Sequence, residues 1–230
     1  FTVMKNIVVL TGAGMSAESG IKTFRDAGGL WEGFEIEEVA TPGAFEKNPK
    51  LVFDFYNQRR KQLFDVKPNK AHHYLKDLEN YYNVTIITQN VDDLHERAKS
   101  SRVIHLHGEL RKVRSTKDET FVLDWETDLH LGDVDTKGNQ LRPHIVWFGE
   151  PVPMLDKAIK IVKEADILVI IGTSMKVYPA ASLINFIKLE TPIYFIDPKP
   201  TVSKNNYKNL TLIKNGAVNG TKDLLKKLVY

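Results

Sequence analysis

The 230-residue sequence contains no cysteine, which excludes disulfides, thiol nucleophiles and thiolate metal sites. It also lacks any apolar run near the ~20 residues that a membrane-spanning helix needs, so no membrane partner is expected. The apolar run near the N-terminus is too short for a signal peptide and leads directly into a glycine-rich turn, which makes the cytoplasm the expected location. An excess of one charge is missing too. Lysine and arginine number 32 against 29 aspartates and glutamates, a formal net charge of +3, so nothing in the balance points to nucleic acid. Repeats and low-complexity tracts are absent. With 42% hydrophobic and 27% charged residues, the chain has the composition of a globular protein that buries a full core.

The most informative stretch is Val8-Val9-Leu10-Thr11-Gly12-Ala13-Gly14-Met15-Ser16-Ala17. A β-branched apolar run stops at a glycine-rich turn, followed by small residues able to open a helix. Glycine permits φ > 0 and removes the Cβ that would hold a ligand away. Backbone N–H groups at such a turn, with the positive end of a helix behind them, can seat a phosphate. The spacing Gly12-x-Gly14-x-x-Ala17 fits the G-x-G-x-x-A form of the dinucleotide fingerprint. A turn that serves only tight packing has the same composition, so both readings stay open here.

Six apolar runs have strand character: residues 7–10, 84–87, 103–106, 167–171, 193–196 and 210–213. Near-continuous Ile/Val/Leu without alternation predicts strands buried on both faces, as in a parallel sheet. Helical patterns over 71–82, 155–165 and 178–188 separate several of them, giving an α/β fold. The strand ends carry glycines, amides, a carboxylate and a histidine, a ligand-binding set at the edge where open α/β sheets bind. Two segments break the rhythm. Residues 29–68 read as helices, with Thr41-Pro42 and Asn48-Pro49 as starts. Residues 109–143 read as an antiparallel excursion, with a strand over 121–125 and a turn at Gly138-Asn139. Together they form an expected small domain inserted into a sheet domain of residues 4–28, 69–108 and 144–230.

A hydride-transfer enzyme would place a second strand after the first helix, ending in a ribose-binding acid about 20 residues on. Here the next strand begins near Val84, and the only strand-end carboxylate is Asp197. A nucleotide seat is compatible with the sequence and hydride chemistry is not.

Further motifs join the opening stretch: Thr88-Gln89-Asn90-Val91-Asp92-Asp93-Leu94-His95, His105-Leu106-His107-Gly108-Glu109-Leu110, Arg142-Pro143-His144-Ile145-Val146-Trp147-Phe148-Gly149-Glu150 and Gly172-Thr173-Ser174-Met175-Lys176-Val177-Tyr178-Pro179-Ala180. In this order and spacing the chain, from about Asn6 to Leu228, resembles the sirtuins. The resemblance implies a single catalytic unit with a Rossmann-like parallel-sheet domain and a small inserted module. It also implies an NAD-dependent deacylase of acyl-lysine proteins that consumes NAD as co-substrate and yields nicotinamide and O-acyl-ADP-ribose. The acyl oxygen attacks the nicotinamide ribose carbon, so positioning and a dry site outweigh a strong base. His107 is the implied general base. Gln89 would hold the ribose, while Asn90 and Asp92, with Val91 between them, would fix the nicotinamide. Gly12, Ala13, Gly14, Ser16, Arg25, Trp31, Gly172, Thr173, Ser174, Asp197 and Ala217 would surround the rest of the cofactor, and Phe24 would shield the reacting carbon. Val146, Phe148, Gly149, Glu150 and Val177 correspond to the substrate clamp, where the peptide backbone would add as a strand. For His72 and His95 a packing or capping role is expected, and a metal pair at His105 and His107 lacks further ligands. On the same fold, an ADP-ribosyltransferase, an NAD hydrolase and a non-catalytic NAD sensor are the alternatives.

Three features concern specificity and stability. Within Phe53-Asp54-Phe55-Tyr56-Asn57-Gln58-Arg59-Arg60, the Tyr56-x-x-Arg59 pair resembles that of sirtuins that remove succinyl and malonyl groups. An offset of three puts both on one helix face, and a guanidinium fork matches a carboxylate. Ala27, a small residue in that class, fits a widened acyl pocket, with deacetylation retained alongside. The family's two zinc-binding Cys-x-x-Cys pairs correspond here to about Ser115, Asp118, Val134 and Lys137, and valine and protonated lysine offer no ligand. No structural zinc is expected, with packing by Phe121, Val122, Leu123, Trp125 and Leu131 in its place. Lys99 stands where a left-handed glycine is usual, and would cost ~1 kcal/mol in that conformation.

Overall fold

A computed structural model describes residues 4–22, 33–203 and 205–229. All six expected strands form. They are β1 (Asn6–Thr11), β2 (Asn83–Thr88), β3 (Val103–His105) and, after three strands described below, β7 (Ile167–Ile171), β8 (Ile193–Ile196) and β9 (Leu210–Ile213). They make one sheet in the order β3-β2-β1-β7-β8-β9, parallel throughout. Successive side chains of a strand point to opposite faces, and both faces of this sheet are covered. Ile7, Val9, Ile86 and Val169 join one apolar layer, under α4 (Lys70–Leu78) and α7 (Ala217–Val229). Val8, Leu10, Ile87 and Ile170 join the other, under α6 (Leu155–Lys163). The segment expected as a helix over 178–188 is instead a 3-10 run, Ala180–Phe186, whose Leu183 and Ile184 still pack on the sheet.

Between β1 and α4 the chain forms α1 (Ile36–Val39), α2 (Pro42–Lys47) and α3 (Pro49–Asp65). Both Pro-marked starts are capped as their sequences imply: Thr41 Oγ1 accepts from Ala44 N and Asn48 Oδ1 from Leu51 N, with the prolines at the helix start where no N–H is needed. The short α5 (Leu94–Arg97) follows β2, and a second sheet of β4 (Gly108–Ser115), β5 (Val122–Asp124) and β6 (Leu141–Ile145) follows β3. This sheet is antiparallel, ordered β5-β4-β6. The boundary expected at residue 143 falls inside β6. A third apolar layer joins Val52, Phe55 and Tyr56 of α3 to Leu94, Leu110, Ile145 and Trp147.

The packing expected in place of zinc is only partly right. Leu123 and Leu131 are exposed, and Phe121, Val122 and Trp125 are half-buried; the apolar pad is Phe53, Val113, Leu129 and Leu141. The loop ends are tied by a buried carboxylate. Asp135 accepts from Ser115 Oγ at 2.6 Å, from Lys137 N at 2.8 Å and from both Asn139 N and Nδ2 at 2.9 Å. Four donors converge on one acceptor-only group, and they hold its carboxyl well below the ordinary aspartate range, the Ser115 hydroxyl foremost. Among the described residues, no group of three His, Cys, Asp or Glu could hold a metal ion.

Candidate active site

The strand order reverses between β1 and β7, and the cleft at the carboxyl ends of such a pair is where open α/β sheets bind ligands. Here the two turns beyond those strands are stitched together. Gly12 N donates to Ile171 O at 3.0 Å and Gly14 N to Gly172 O at 2.8 Å. A Cβ on Gly14 would lie 2.6 Å from Gly172 Cα, and one on Gly172, at φ +62, would lie 2.5 Å from Gly14 C. These glycines therefore shape the seat through backbone contact, and the N–H groups of Gly12 and Gly14 are engaged rather than offered to a phosphate. Nor does an α-helix follow. Ala13–Met15 and Ala17–Ser19 are single 3-10 turns, so the expected helix-end charge is not what builds the seat.

The 3-10 geometry delivers Ser16 to the β2 loop. Ser16 Oγ donates to Asp92 Oδ2 at 2.8 Å and accepts from Asn90 Nδ2 at 3.2 Å. Asp92 also accepts Leu94 N, yet burial pushes its carboxyl above the ordinary value, the Ser16 bond opposing. Beneath them, Thr88 Oγ1 accepts from Thr11 Oγ1 and from Asn90 N. Thr11 Oγ1 meets His95 Nε2, and His72 Nδ1 accepts from Asn69 N. Both imidazoles are buried and uncharged, His72 brought down to about 4, by burial first. They serve packing and capping, as expected. Gln89 Nε2 reaches Thr173 Oγ1 at 3.2 Å, joining this loop to the β7 turn.

His107 ends the third loop. Its Nδ1 lies 3.1 Å from Gln89 O, a carbonyl that can only accept, so Nδ1 carries the proton and Nε2 is left as the basic atom. Burial lowers its pKa below the ordinary histidine value, the Gln89 bond opposing, which favours the neutral base near pH 7. Gly108 makes the turn possible: at φ +85 its Cβ would lie 2.0 Å from His144 O. His105 behaves differently. Its nitrogens meet Asn90 O at 3.1 Å and Glu96 Oε1 at 2.7 Å. Burial opposes the charged ring, but Glu96, with Glu109 and the Asn90 carbonyl, outweighs it and raises the pKa above the ordinary histidine value.

On the α3 side, Tyr56 is buried and its Oη accepts from Trp147 Nε1 at 3.0 Å. Arg59 lies one turn on, its guanidinium carbon 4.8 Å from the Phe55 ring centroid. Arg60, next in the chain, is buried and donates to Leu110 O and Asn57 Oδ1. Glu150 stands at the cavity wall. Its carboxylate is held by Arg142 at 2.6 and 3.1 Å, by Arg114 at 3.3 Å and by Trp147 N at 2.8 Å. Phe148 N and Glu150 N are engaged by Ala40 O and Trp147 O, and Val177 O by Ala181 N.

One cavity of about 800 Å³ unites these parts. It is lined by Gly12, Ala13, Gly14 and Ser16; by Gln89, Asn90, Val91 and Asp92; by His107; by Gly172, Thr173 and Ser174; and by Asp197 and Ala217. Tyr56, Arg59, Val146, Phe148, Gly149, Glu150 and Val177 line its other side. Phe24, Arg25, Ala27 and Trp31 lie outside the described residues. Sequence reasoning missed Trp147, Gln62, Leu63 and Lys199 at the wall. The helical offset from Tyr56 to Arg59, continued by one turn, reaches Gln62 and Leu63 and was a usable signal.

Residues 12–179 match the profile of the Sir2 family, and the chain belongs to that family. An NAD-dependent protein deacylase of Helicobacter pylori is 60% identical over 228 residues, covering 98% of each chain. Another from Bacteroides thetaiotaomicron is 52% identical over 232 residues, covering 98% of this chain and 99% of that one. Among solved structures, a Sir2 homologue–NAD complex superposes with a TM-score of 0.86 at 42% identity, covering 97% of this chain and 89% of the other. A substituted Sir2 homologue bound to 2'-O-acetyl ADP ribose gives 0.85 at 40% identity, covering 98% and 92%.

Proposed function

We propose that this protein, an NAD-dependent protein deacylase, has an acyl pocket tuned to acidic acyl groups on lysine, succinyl and malonyl foremost, with acetyl also accepted. The observation that carries the reading is the placement of Tyr56 and Arg59 on one face of α3, both at the wall of the cavity that His107 lines. A guanidinium and a phenol together offer charge-assisted and neutral hydrogen bonds to a terminal carboxylate.

The residues present fit NAD. The cavity sits at the switch between β1 and β7, and its floor is a glycine contact that any Cβ would obstruct. NAD supplies the ribose carbon that takes the acyl oxygen as nicotinamide departs. The chain's own part is positioning. Ser16 holds Asn90 and Asp92 in one arrangement, Gln89 is steadied by Thr173, and Asp197 lies at the end of β8 for a ribose hydroxyl. His107, with Nδ1 tied to Gln89 O, receives a proton at Nε2. The helical segment of residues 33–68 with the antiparallel sheet belongs to the small domain inserted into the sheet domain. A protein substrate, rather than nucleic acid, and a cytoplasmic location complete the reading. Net charge is near balance, and no described helix is long and apolar enough to cross a membrane.

The test is mass spectrometry of matched succinyl- and acetyl-lysine peptides incubated with NAD. O-acyl-ADP-ribose is expected with each peptide, whereas free ADP-ribose formed regardless of peptide would mean hydrolysis. Arg59→Met is expected to lower desuccinylation about 30–100-fold, the worth of a charge-assisted hydrogen-bond pair, with a much smaller effect on deacetylation. Equal losses on both peptides refute the acid pocket.

A further inference from the structure

We infer that His105 is a positioning residue for the NAD seat: its doubly protonated ring, held by Glu96, donates to Asn90 O and so fixes the loop that carries Asn90 and Asp92. The inference rests on the placement of those two residues in the seat and goes one residue beyond it.

The loop after β2 presents three consecutive carbonyls, and each has its own donor. Gln89 O takes His107 Nδ1 at 3.1 Å, Asn90 O takes His105 Nδ1 at 3.1 Å, and Val91 O takes Leu110 N at 2.8 Å. Strand pairing sets this up, because His105 ends β3 in register with Thr88, the last residue of β2. With its carbonyls engaged by the β3–β4 segment, the same loop lines the cavity with Gln89, Asn90, Val91 and Asp92.

Of the three donors, His105 alone needs a second proton. Its Nε2 lies 2.7 Å from Glu96 Oε1. A carbonyl and an ionised carboxylate can only accept, and a neutral imidazole has a single N–H. The ring that serves both acceptors therefore carries both protons. Its side chain is 8% exposed, so little water is at hand to replace a lost partner.

The charges around the ring act on that state from every side. Glu96 of α5 and Glu109 of β4 stand beside it, with Lys112 bound to Glu109 at 3.0 Å. His144 of β6 and Lys157 of α6 lie across a second cavity, of about 410 Å³, that His105 lines. Asp92 attracts the charge from the loop, and His95 opposes it from α5. Burial works against the charged ring, but Glu96 foremost, with Glu109 and Asn90 O, holds its pKa above the ordinary histidine value. His107, two residues on, is pushed the other way by burial. Between the two values His107 is a neutral base while His105 is an imidazolium, a separation of roles set by environment. As pH rises through the His105 value, one N–H remains. The charged acceptor keeps it, and Asn90 O is left facing a lone pair.

The readout is KM for NAD against pH at saturating acetyl-lysine peptide. It is expected to rise about tenfold, the scale of one charge-assisted hydrogen bond, as pH climbs past the ordinary histidine value of about 6.5. KM for the peptide should stay level, and the His107 limb should appear in kcat at lower pH. His105→Asn keeps an amide N–H close to the Nδ1 position and cannot titrate, so the rise in KM should vanish. If that variant fails to fold, Glu96→Gln must remove the rise as well, because its amide can donate to Nε2 of a neutral ring and leave Nδ1–H on Asn90 O. NMR of isotope-labelled histidine in the wild type should find both His105 nitrogens protonated near neutral pH. Two failures are distinct. Asn90→Ala that leaves KM for NAD unchanged overturns the placement of Asn90 and this inference with it. Asn90→Ala that impairs use of NAD, beside a neutral His105 ring or a rise that persists in His105→Asn, overturns the role of His105 alone.

Discussion

Replacing Glu150 by glutamine separates two readings of that residue. From sequence it belongs to the substrate clamp; in the structure its carboxylate neutralises two guanidiniums that are nearly buried, Arg114 at 6% and Arg142 at 8% exposure. A glutamine in its place would keep the shape and one acceptor, but it would leave two buried cations without a counter-charge. Breaking such a pair from one side costs about 3–5 kcal/mol when fully buried; with Glu150 itself partly open to solvent, about 3 kcal/mol is expected. For a chain of this size each kcal/mol moves Tm by about 2–4 °C, so Glu150→Gln should melt roughly 6–12 °C lower at pH 7. The sign of the pH dependence follows from the carboxyl. Burial pushes it up, but Arg142, Trp147 N–H and Arg114 together outweigh burial and leave it below the ordinary glutamate value. Its stabilisation is therefore complete above the unfolded pKa and is lost as pH falls through the folded one. The gap between wild type and variant should close on acidification below about pH 4. Scanning calorimetry across pH, with peptide KM measured alongside, decides the matter. A Glu150→Gln protein that melts within a degree of wild type and shows only a raised KM refutes the structural role.

Two further outcomes follow from backbone and loop geometry. Lys99 adopts φ 70 on an exposed surface, as its position in the sequence suggested, so Lys99→Gly should raise stability by about 0.5–1 kcal/mol in a denaturation series; unchanged stability would show that the lysine is not strained. Asp135→Asn brings amide hydrogens against four donors and should lower Tm at pH 7. Because the folded carboxyl lies below its ordinary value, the wild-type advantage should persist until pH falls beneath the ordinary aspartate range. Elemental analysis of the wild type is expected to find no stoichiometric zinc.

The sheet was legible because Ile/Val/Leu runs that feed two apolar layers have no other stable use, and because each ended in small or polar residues. The Pro-marked helix starts were legible for the same local reason. What escaped was set by contacts far apart in the chain. Nothing near Glu150 announces Arg114 or a buried role, and Asp135 is one aspartate among several in a polar loop. After Gly14 the sequence allows a helix; the chain forms 3-10 turns instead, which bring Ser16 to Asn90 and Asp92 from a distant part of the chain. Trp147 was hidden by alternation: Val146 and Phe148 on either side drew attention to the substrate, while the indole between them turned inward to Tyr56.

The contact between Gly14 and Gly172 has a consequence for the order in which the molecule becomes active. The two turns belong to distant parts of the chain, and their backbones touch only once β7 has docked beside β1. Contacts of such long sequence separation form late, after the loop-closure cost has been met. A nascent or partly unfolded chain holding β1 to β3 has the Gln89 and His107 loops but only half of a dinucleotide seat. A seat completed only by that docking makes NAD binding a report on folding: saturating cofactor should add the same increment of hydrogen-exchange protection to every amide whose exchange requires β7 to undock from β1.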